Sequence, residues 1–376
     1  HAAESVSPAW LQAHGHAQIF GWVGTFILGI GFFSLSRMGP VPGFVLRRGW
    51  TCLALWAPGV ALRWIAGVSG WGWRFLLPLS SALEIAAFFL FFWTVSGHRA
   101  SGKPEKREPW MFVVIAATFG FLLSLALNAA AAWSAAIAGT GPALGHMVDQ
   151  QLVELEVWGF LAITIWGFNA RWLPIFLGAR APRTPLLLAC PVLAWLGMLA
   201  DFTGHQIVFA VSVVAASVGA IAALRIFETP AQPAKTLGVH RSFPHFIRLA
   251  YVWLLAGAAL SLYAAFADHA GGIWGASRHA VTVGFVSTMI FAIGQRVLPA
   301  FCGARVLFSP GLMFASLAIL NVGCALRVGS EIPAYELSSP IAWGVLPASA
   351  AIEVTAFTLF AASLVLTLMQ PPSHQK

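Results

Sequence analysis

The sequence predicts an all-α polytopic membrane protein. Of its 376 residues, 59% are hydrophobic and only 9% are charged, and the mean hydropathy is +0.81. Apolar runs of about twenty residues, each long enough to cross ~30 Å of hydrocarbon, recur along the whole chain. Because these runs are continuously apolar and do not alternate with polar residues, they predict helices and exclude the strands of a β-barrel.

We predict eleven transmembrane spans in this order along the chain. They cover residues 15–36, 46–66, 75–96, 109–134, 146–176, 185–203, 206–227, 246–267, 275–300, 309–328 and 341–369. The stretch 97–109 is predicted as a short polar linker, and 134–145 and 228–245 as loops.

The basic residues predict how the chain is oriented. Seventeen of them lie on one set of alternating loops and helix ends, and four lie on the other set, namely Arg63, Arg74, Arg278 and Arg327. By the positive-inside rule the first set is cytoplasmic, so the C-terminus is expected inside and the first residue outside. The odd number of spans then predicts one further helix upstream of His1, which would make twelve. The net charge of +8 reflects this orientation, and no nucleic-acid partner is expected.

An internal repeat relates three of the spans. The sixteen residues from His16 to Gly31 match those from His279 to Gly294 at eight positions without a gap. The fifth span aligns with the ninth and carries Glu154 where the other two carry histidine. This pattern predicts a single transmembrane domain of three four-helix repeats in pseudo-threefold arrangement, at roughly residues 1–108, 109–245 and 246–376.

The two matching histidines predict a haem site. Two imidazoles at the same depth on facing membrane helices are what a haem iron needs, so we predict His16 and His279 as the axial ligands of haem b. The small residues that follow each histidine every four positions leave room for a flat macrocycle, although such rows are also typical of close helix packing. Arg278 and Arg74 are predicted to pair with the haem propionates. The alternatives are interfacial histidines bonded to backbone carbonyls and arginines that anchor helix ends in the headgroups.

Further histidines near the outer face predict a copper site. His14, His146 and His205 begin or precede spans at one level, and neutral imidazoles suit copper. Glu154 and His269 are further candidate ligands. Each of these histidines taken alone also fits a capping or interfacial role, and no catalytic residue is assigned.

These residues also carry a family resemblance. The triplet His14-Gly15-His16, the pair Arg278-His279, and the ends Arg171-Trp172-Leu173-Pro174 and Arg296-Val297-Leu298-Pro299 resemble the NnrS family. The resemblance covers most of the chain. It implies a bacterial inner-membrane protein that holds haem and copper near the periplasmic face and is linked to resistance to nitric oxide stress.

The predicted helical plan is also similar to that of the catalytic subunit of haem–copper oxidases and nitric oxide reductases. Those subunits need six metal-binding histidines, including a pair on the tenth helix that this chain lacks, so a full binuclear centre is not expected.

The expected function is therefore the binding or turnover of nitric oxide or a nitrosylated metal species in the lipid bilayer. An electron-transfer or quinol-oxidising cytochrome could use the same histidines, and a small-molecule transporter would need no cofactor. The sequence leaves open whether the protein is an oxidoreductase and which electron donor it uses.

Overall fold

A computed structural model describes residues 7–37, 43–100, 108–301 and 306–370 of the chain. All regular elements in these ranges are helices, and eleven of them are long and apolar enough to cross a membrane. The predicted fold class is thus confirmed. The protein is a polytopic helical membrane protein.

We number these helices α1 to α11 in chain order. Eight are uninterrupted: α2 (Gly43–Ser69), α3 (Trp73–Ala100), α4 (Pro109–Ala138), α6 (Thr184–Phe202), α7 (Gln206–Leu224), α8 (Phe243–Ala267), α10 (Pro310–Tyr335) and α11 (Pro340–Leu368). The other three each contain a central π-helical segment. They are α1 (Pro8–His16, Ala17–Gly24, Thr25–Arg37), α5 (His146–Glu154, Leu155–Ala162, Ile163–Phe176) and α9 (Gly272–His279, Ala280–Ser287, Thr288–Phe301).

Local sequence explains where several helices begin. Ser309 and Ser339 directly precede α10 and α11, and their side chains accept the backbone N–H groups of Leu312 and Ala342. Each serine is followed by a proline at the first helical position, where a missing N–H removes no helical hydrogen bond. These capping signals fix the starts of the two helices.

Some observed boundaries differ from the predicted ones. The first helix begins at Pro8 and not at residue 15, because a proline after the extended Ser7 starts a helix well before the apolar run. The fourth helix continues to Ala138, inside the predicted loop 134–145, because its alanine-rich end favours helix. Most of the predicted linker 97–109 lies outside the described residues.

The chain groups into two compact units. The first comprises the described residues within 1–107 and 118–156, and the second those within 108–117 and 157–376. In the first unit, α2 and α3 form a hairpin against which α1 packs. In the second unit, α6–α7 and α10–α11 form further hairpins, and α9 packs against α8, α10 and α11. The predicted repeat boundaries near residues 108 and 245 stay a prediction.

Gly178, in the segment that follows α5, makes close backbone contacts with a later loop. Gly178 has φ +65°, and its carbonyl accepts the N–H groups of Ala231 and Gln232. A Cβ on Gly178 would overlap the carbonyl oxygen of Gln232. Both the backbone conformation and the close approach therefore require glycine here.

We expect Gly178→Ala to lower the free energy of unfolding by about 1–3 kcal/mol, because alanine is strained at positive φ and displaces the loop. Gly329→Ala is the control, since a Cβ at Gly329 in α10 meets no atom within 4 Å. Thermal unfolding of the detergent-solubilised variants measures the difference. Equal midpoints for the two variants would show that the loop contact carries no stability.

Candidate functional site

The His279 ring in the second unit is held by two acceptors. Its Nδ1 lies 2.8 Å from Oε2 of Glu331 in α10 and 3.0 Å from the carbonyl oxygen of Gly275, one turn earlier in α9. A carbonyl oxygen and a carboxylate both accept, so in the neutral ring Nδ1 carries the proton. The lone pair then lies on Nε2, to which no described residue is hydrogen-bonded. The side chain of His279 is 25% exposed.

Gly275 has no side chain, and this leaves room for the Glu331 carboxylate. A Cβ on Gly275 would lie 2.5 Å from Oε1 of Glu331, closer than any such contact allows. The Glu331 side chain is buried, and Arg327, one turn earlier in α10, places its Nε 3.8 Å from Glu331 Oε2. Charge on a buried carboxylate is costly unless it is paired and hydrogen-bonded. Arg327 provides the opposite charge, and His279 provides a hydrogen bond.

The His16 ring in the first unit has a different partner and orientation. Its Nε2 lies 2.8 Å from Oε1 of Glu84 in α3, and the two residues are 6% and 1% exposed. A Cβ on Gly59 would lie 2.8 Å from Cγ of Glu84, so a glycine again admits the carboxylate. Because the carboxylate accepts, Nε2 of the neutral His16 ring carries the proton, and its lone pair lies on Nδ1.

Buried charges surround the His16–Glu84 pair. Arg63 of α2 is 7% exposed and interacts electrostatically with Glu84, Glu156 and Asp149. Glu156 is itself buried and accepts a 2.7 Å hydrogen bond from the Asn128 amide. The first unit therefore holds an extended polar network inside an apolar helical bundle.

The π-helical segments lie at matching places in α1, α5 and α9. Each of them starts at the residue directly after His16, Glu154 or His279. The sequence relates these three positions, and in the structure they share the same local backbone change. Such wide turns are rare and are frequent at functional sites.

Comparison with known families identifies the family of the chain. The model of the NnrS protein family matches residues 1–371, nearly the whole chain. The chain belongs to the NnrS family. A search of curated proteins gives no match.

The histidines predicted to bind copper differ from His16 and His279 in their hydrogen bonds and in their exposure. In the first unit, His14 stacks on Trp10 with ring centroids 5.4 Å apart, and His146 is exposed at the first position of α5. In the second unit, His205 is exposed with its Nδ1 3.1 Å from the Thr203 hydroxyl, and His269 is exposed. Among the described residues, no group of three or more His, Cys, Asp or Glu side chains is arranged to hold a metal ion. Copper binding by this NnrS family member stays a prediction.

The remaining predicted site residues have the following contacts. Arg74 donates to the carbonyl oxygens of Ala136 and Gly139 at 3.0 and 3.1 Å, so its guanidinium is engaged with backbone. Arg278 is half-buried and interacts electrostatically with the buried Asp201. Glu154 is buried at the last position before the π-helical segment of α5. The predicted roles of the two arginines toward propionates, and of Glu154 toward copper, stay predictions.

Sequence reasoning missed the residues that orient the two histidines. Glu331, Arg327 and Arg63 carried no predicted role, and Glu84 was not linked to His16. A signal for the two arginines was available, because Gly59-x-Ala61-Leu62-Arg63 recurs as Gly323-x-Ala325-Leu326-Arg327. This second repeat places an arginine at the same position of α2 and α10.

Glu336 fixes the start of α9, on which His279 lies. Its carboxylate, just beyond α10, accepts the N–H groups of His269, Ala270 and Gly272 at 3.1–3.2 Å. Burial by itself raises the pKa of Glu336, but these N–H groups together hold it below its ordinary value of 4.5. A carboxylate whose pKa is lowered by folding stabilises the fold above its ordinary pKa. That stability is lost as the pH falls through the folded-state value.

We therefore predict that Glu336→Gln is less stable than the wild type at neutral pH and that the difference shrinks as the pH falls below 4.5 toward the lower pKa of the folded state. Thermal unfolding from about pH 3 to about pH 7 is the measurement, because this range brackets the ordinary glutamate pKa. A stability difference that stays constant over this range would rule out an ionised Glu336 as the anchor.

A second prediction concerns the buried pair of the first unit. Glu84→Ala leaves the His16 Nε2–H without its acceptor in an apolar bundle, and we expect a loss of about 3 kcal/mol in stability. Glu84→Gln keeps an acceptor oxygen and should lose much less. Unfolding in detergent distinguishes them, and similar losses in the two variants would show that the hydrogen bond is not what stabilises the pair.

Proposed function

We propose that this NnrS family member is a haem-binding inner-membrane protein that acts on nitric oxide, in which His279 would hold the haem iron through Nε2. Family membership supports the link to nitric oxide stress. The observation that carries the haem proposal is the His279 ring, whose Nδ1 is fixed by Glu331 and Gly275 while Nε2 has no hydrogen-bond partner among the described residues.

The residues around His279 fit a metal-bound imidazole. Histidines that ligate a metal usually donate their other ring N–H to a carboxylate or a backbone carbonyl, and His279 has one of each. This arrangement fixes the tautomer and increases the basicity of the ligating nitrogen. Haem bound there would supply an iron that takes nitric oxide as a ligand.

The protein side chains have separate roles in this proposal. Gly275 and Glu331 keep the proton on Nδ1 and hold the ring plane, and Arg327 balances the charge of Glu331. The surrounding apolar helices exclude water from the buried carboxylate. His16 as a second ligand of the iron is an expectation from the sequence alone. His16 lies in the first unit and His279 in the second.

Copper is the less supported part of the proposal. Its predicted ligands are mostly exposed, and no triad of metal-binding side chains is found within the described ranges. The bacterial inner membrane is the proposed location because of the many spanning helices and the distribution of basic residues.

We predict that the purified wild-type protein carries haem and that His279→Ala loses most of it. The pyridine haemochrome and the Soret absorbance per protein are the measurements. His245→Ala is the matched control, because His245 is an exposed histidine near the start of α8 in the same unit. Glu331→Gln should weaken haem binding by about tenfold, since it removes the charged acceptor of Nδ1–H.

Two results would refute the proposal. One is a colourless wild-type preparation even after expression with added haem precursor, which would favour the transporter alternative. The other is full haem content in folded His279→Ala.

A further inference from the structure

The two histidine sites are built on a shared plan that extends beyond the histidine helices. Pro78-x-Ser80-x-Ala82-x-Glu84-x-x-Ala87-Phe88 in α3 recurs as Pro347-x-Ser349-x-Ala351-x-Glu353-x-x-Ala356-Phe357 in α11. Glu353 is therefore the counterpart of Glu84, as Arg327 is of Arg63. Both carboxylates pack on matching glycines, since a Cβ on Gly323 would lie 2.7 Å from Cγ of Glu353.

Among the positions at which the α2 and α10 copies differ, one lies next to the histidine. Four residues after the matching arginines stand Gly67 in α2 and Glu331 in α10. A Cβ on Gly67 would lie 2.6 Å from Cβ of Ala13, so that position brings α1 and α2 into close contact. In the second unit the same position supplies an additional carboxylate next to the histidine.

This difference accompanies the different orientations of the two imidazole rings. His16 has one carboxylate available, Glu84, and donates to it through Nε2. His279 donates instead through Nδ1 to the additional carboxylate, Glu331. Glu353 Oε1 is buried and has no hydrogen-bond partner in the described part of the chain, as expected if the ring has turned away from it. Nε2 of His279 therefore has no hydrogen bond to a described residue, whereas Nε2 of His16 donates to Glu84.

We propose that the haem iron has His279 as its single protein ligand, so that its sixth coordination position is open to a neutral diatomic molecule such as nitric oxide. This inference rests on the proposed function and departs from the pair of axial histidines that the sequence suggested. His16 is a structural partner of Glu84 and not a metal ligand.

The geometry of His16 argues against iron coordination in two ways. Its Nε2 donates to Glu84, and releasing it would leave a carboxylate that is 1% exposed without its hydrogen-bond donor. Its other nitrogen, Nδ1, is bonded to Cγ and so lies closer to the helix backbone than Nε2 does, which leaves less room for a flat macrocycle. His279 has neither restriction, because Nε2 is the outer ring nitrogen and is unprotonated.

The spin state of the iron tests this inference. We expect the purified wild-type protein to show a high-spin ferric spectrum by electron paramagnetic resonance, and its ferrous form to bind carbon monoxide with a shifted Soret band. His16→Asn should keep the wild-type haem content, spin state and carbon monoxide binding, whereas His279→Ala should lose the haem.

The possible outcomes separate this inference from the proposed function. A low-spin wild-type protein that resists carbon monoxide, or one that becomes high-spin only in His16→Asn, would overturn the single-ligand inference and leave haem binding intact. Haem absent from the wild-type protein would overturn both. If His16→Asn does not fold, the wild-type spectrum alone decides, and Glu84→Gln provides a second variant that disturbs the His16 pair without removing the imidazole.

Discussion

A hydrogen bond between a histidine and a buried carboxylate is the interaction on which the candidate site depends. In the low dielectric of a helical bundle, such a bond is strong when both groups are paired and costly when one partner is removed. Glu331 is buried in α10, where it accepts a hydrogen bond from the Nδ1–H of His279, and the Arg327 guanidinium balances its charge. The tautomer of His279 follows from this pairing, and so does the availability of Nε2.

Other residues of the site leave room for the bond between His279 and Glu331 and fix the start of the helix that carries His279. Gly275 lacks the side chain that would overlap Glu331, and Glu336 anchors the first turn of α9 before the histidine. The π-helical segment begins immediately after His279, so the ring lies at the last residue of a regular α-helical segment. In the first unit, Gly67 stands at the position that matches Glu331, Gln12 stands at the position that matches Gly275, and His16 donates from Nε2 to Glu84. The two histidines of the internal repeat thus have different hydrogen-bond partners and donate from different ring nitrogens.

The sequence predicts most of the fold and part of the site. The eleven spans follow from runs of apolar residues, because a membrane helix must satisfy its backbone hydrogen bonds within itself. The importance of His16 and His279 followed from the repeat between the first and ninth helices. The difference between them could not be predicted, because it depends on which nitrogen each ring donates from, and that is decided by residues distant in sequence. The π-helical segments also have no evident sequence signal, although they occur at three related positions. The second repeat relates Arg63 to Arg327 and Glu84 to Glu353, so it would have identified these residues from the sequence, but not Glu331, which matches Gly67.

The most direct test of the account is to identify the nitrogen that is bound to the iron. Protein grown with histidine labelled with nitrogen-15 at Nε2 alone, and purified with its haem, can be measured by electron–nuclear double resonance. If His279 alone binds the iron through Nε2, strong hyperfine coupling to one labelled nitrogen is expected. Strong coupling to two labelled nitrogens, or to none, would contradict ligation by His279 Nε2 alone.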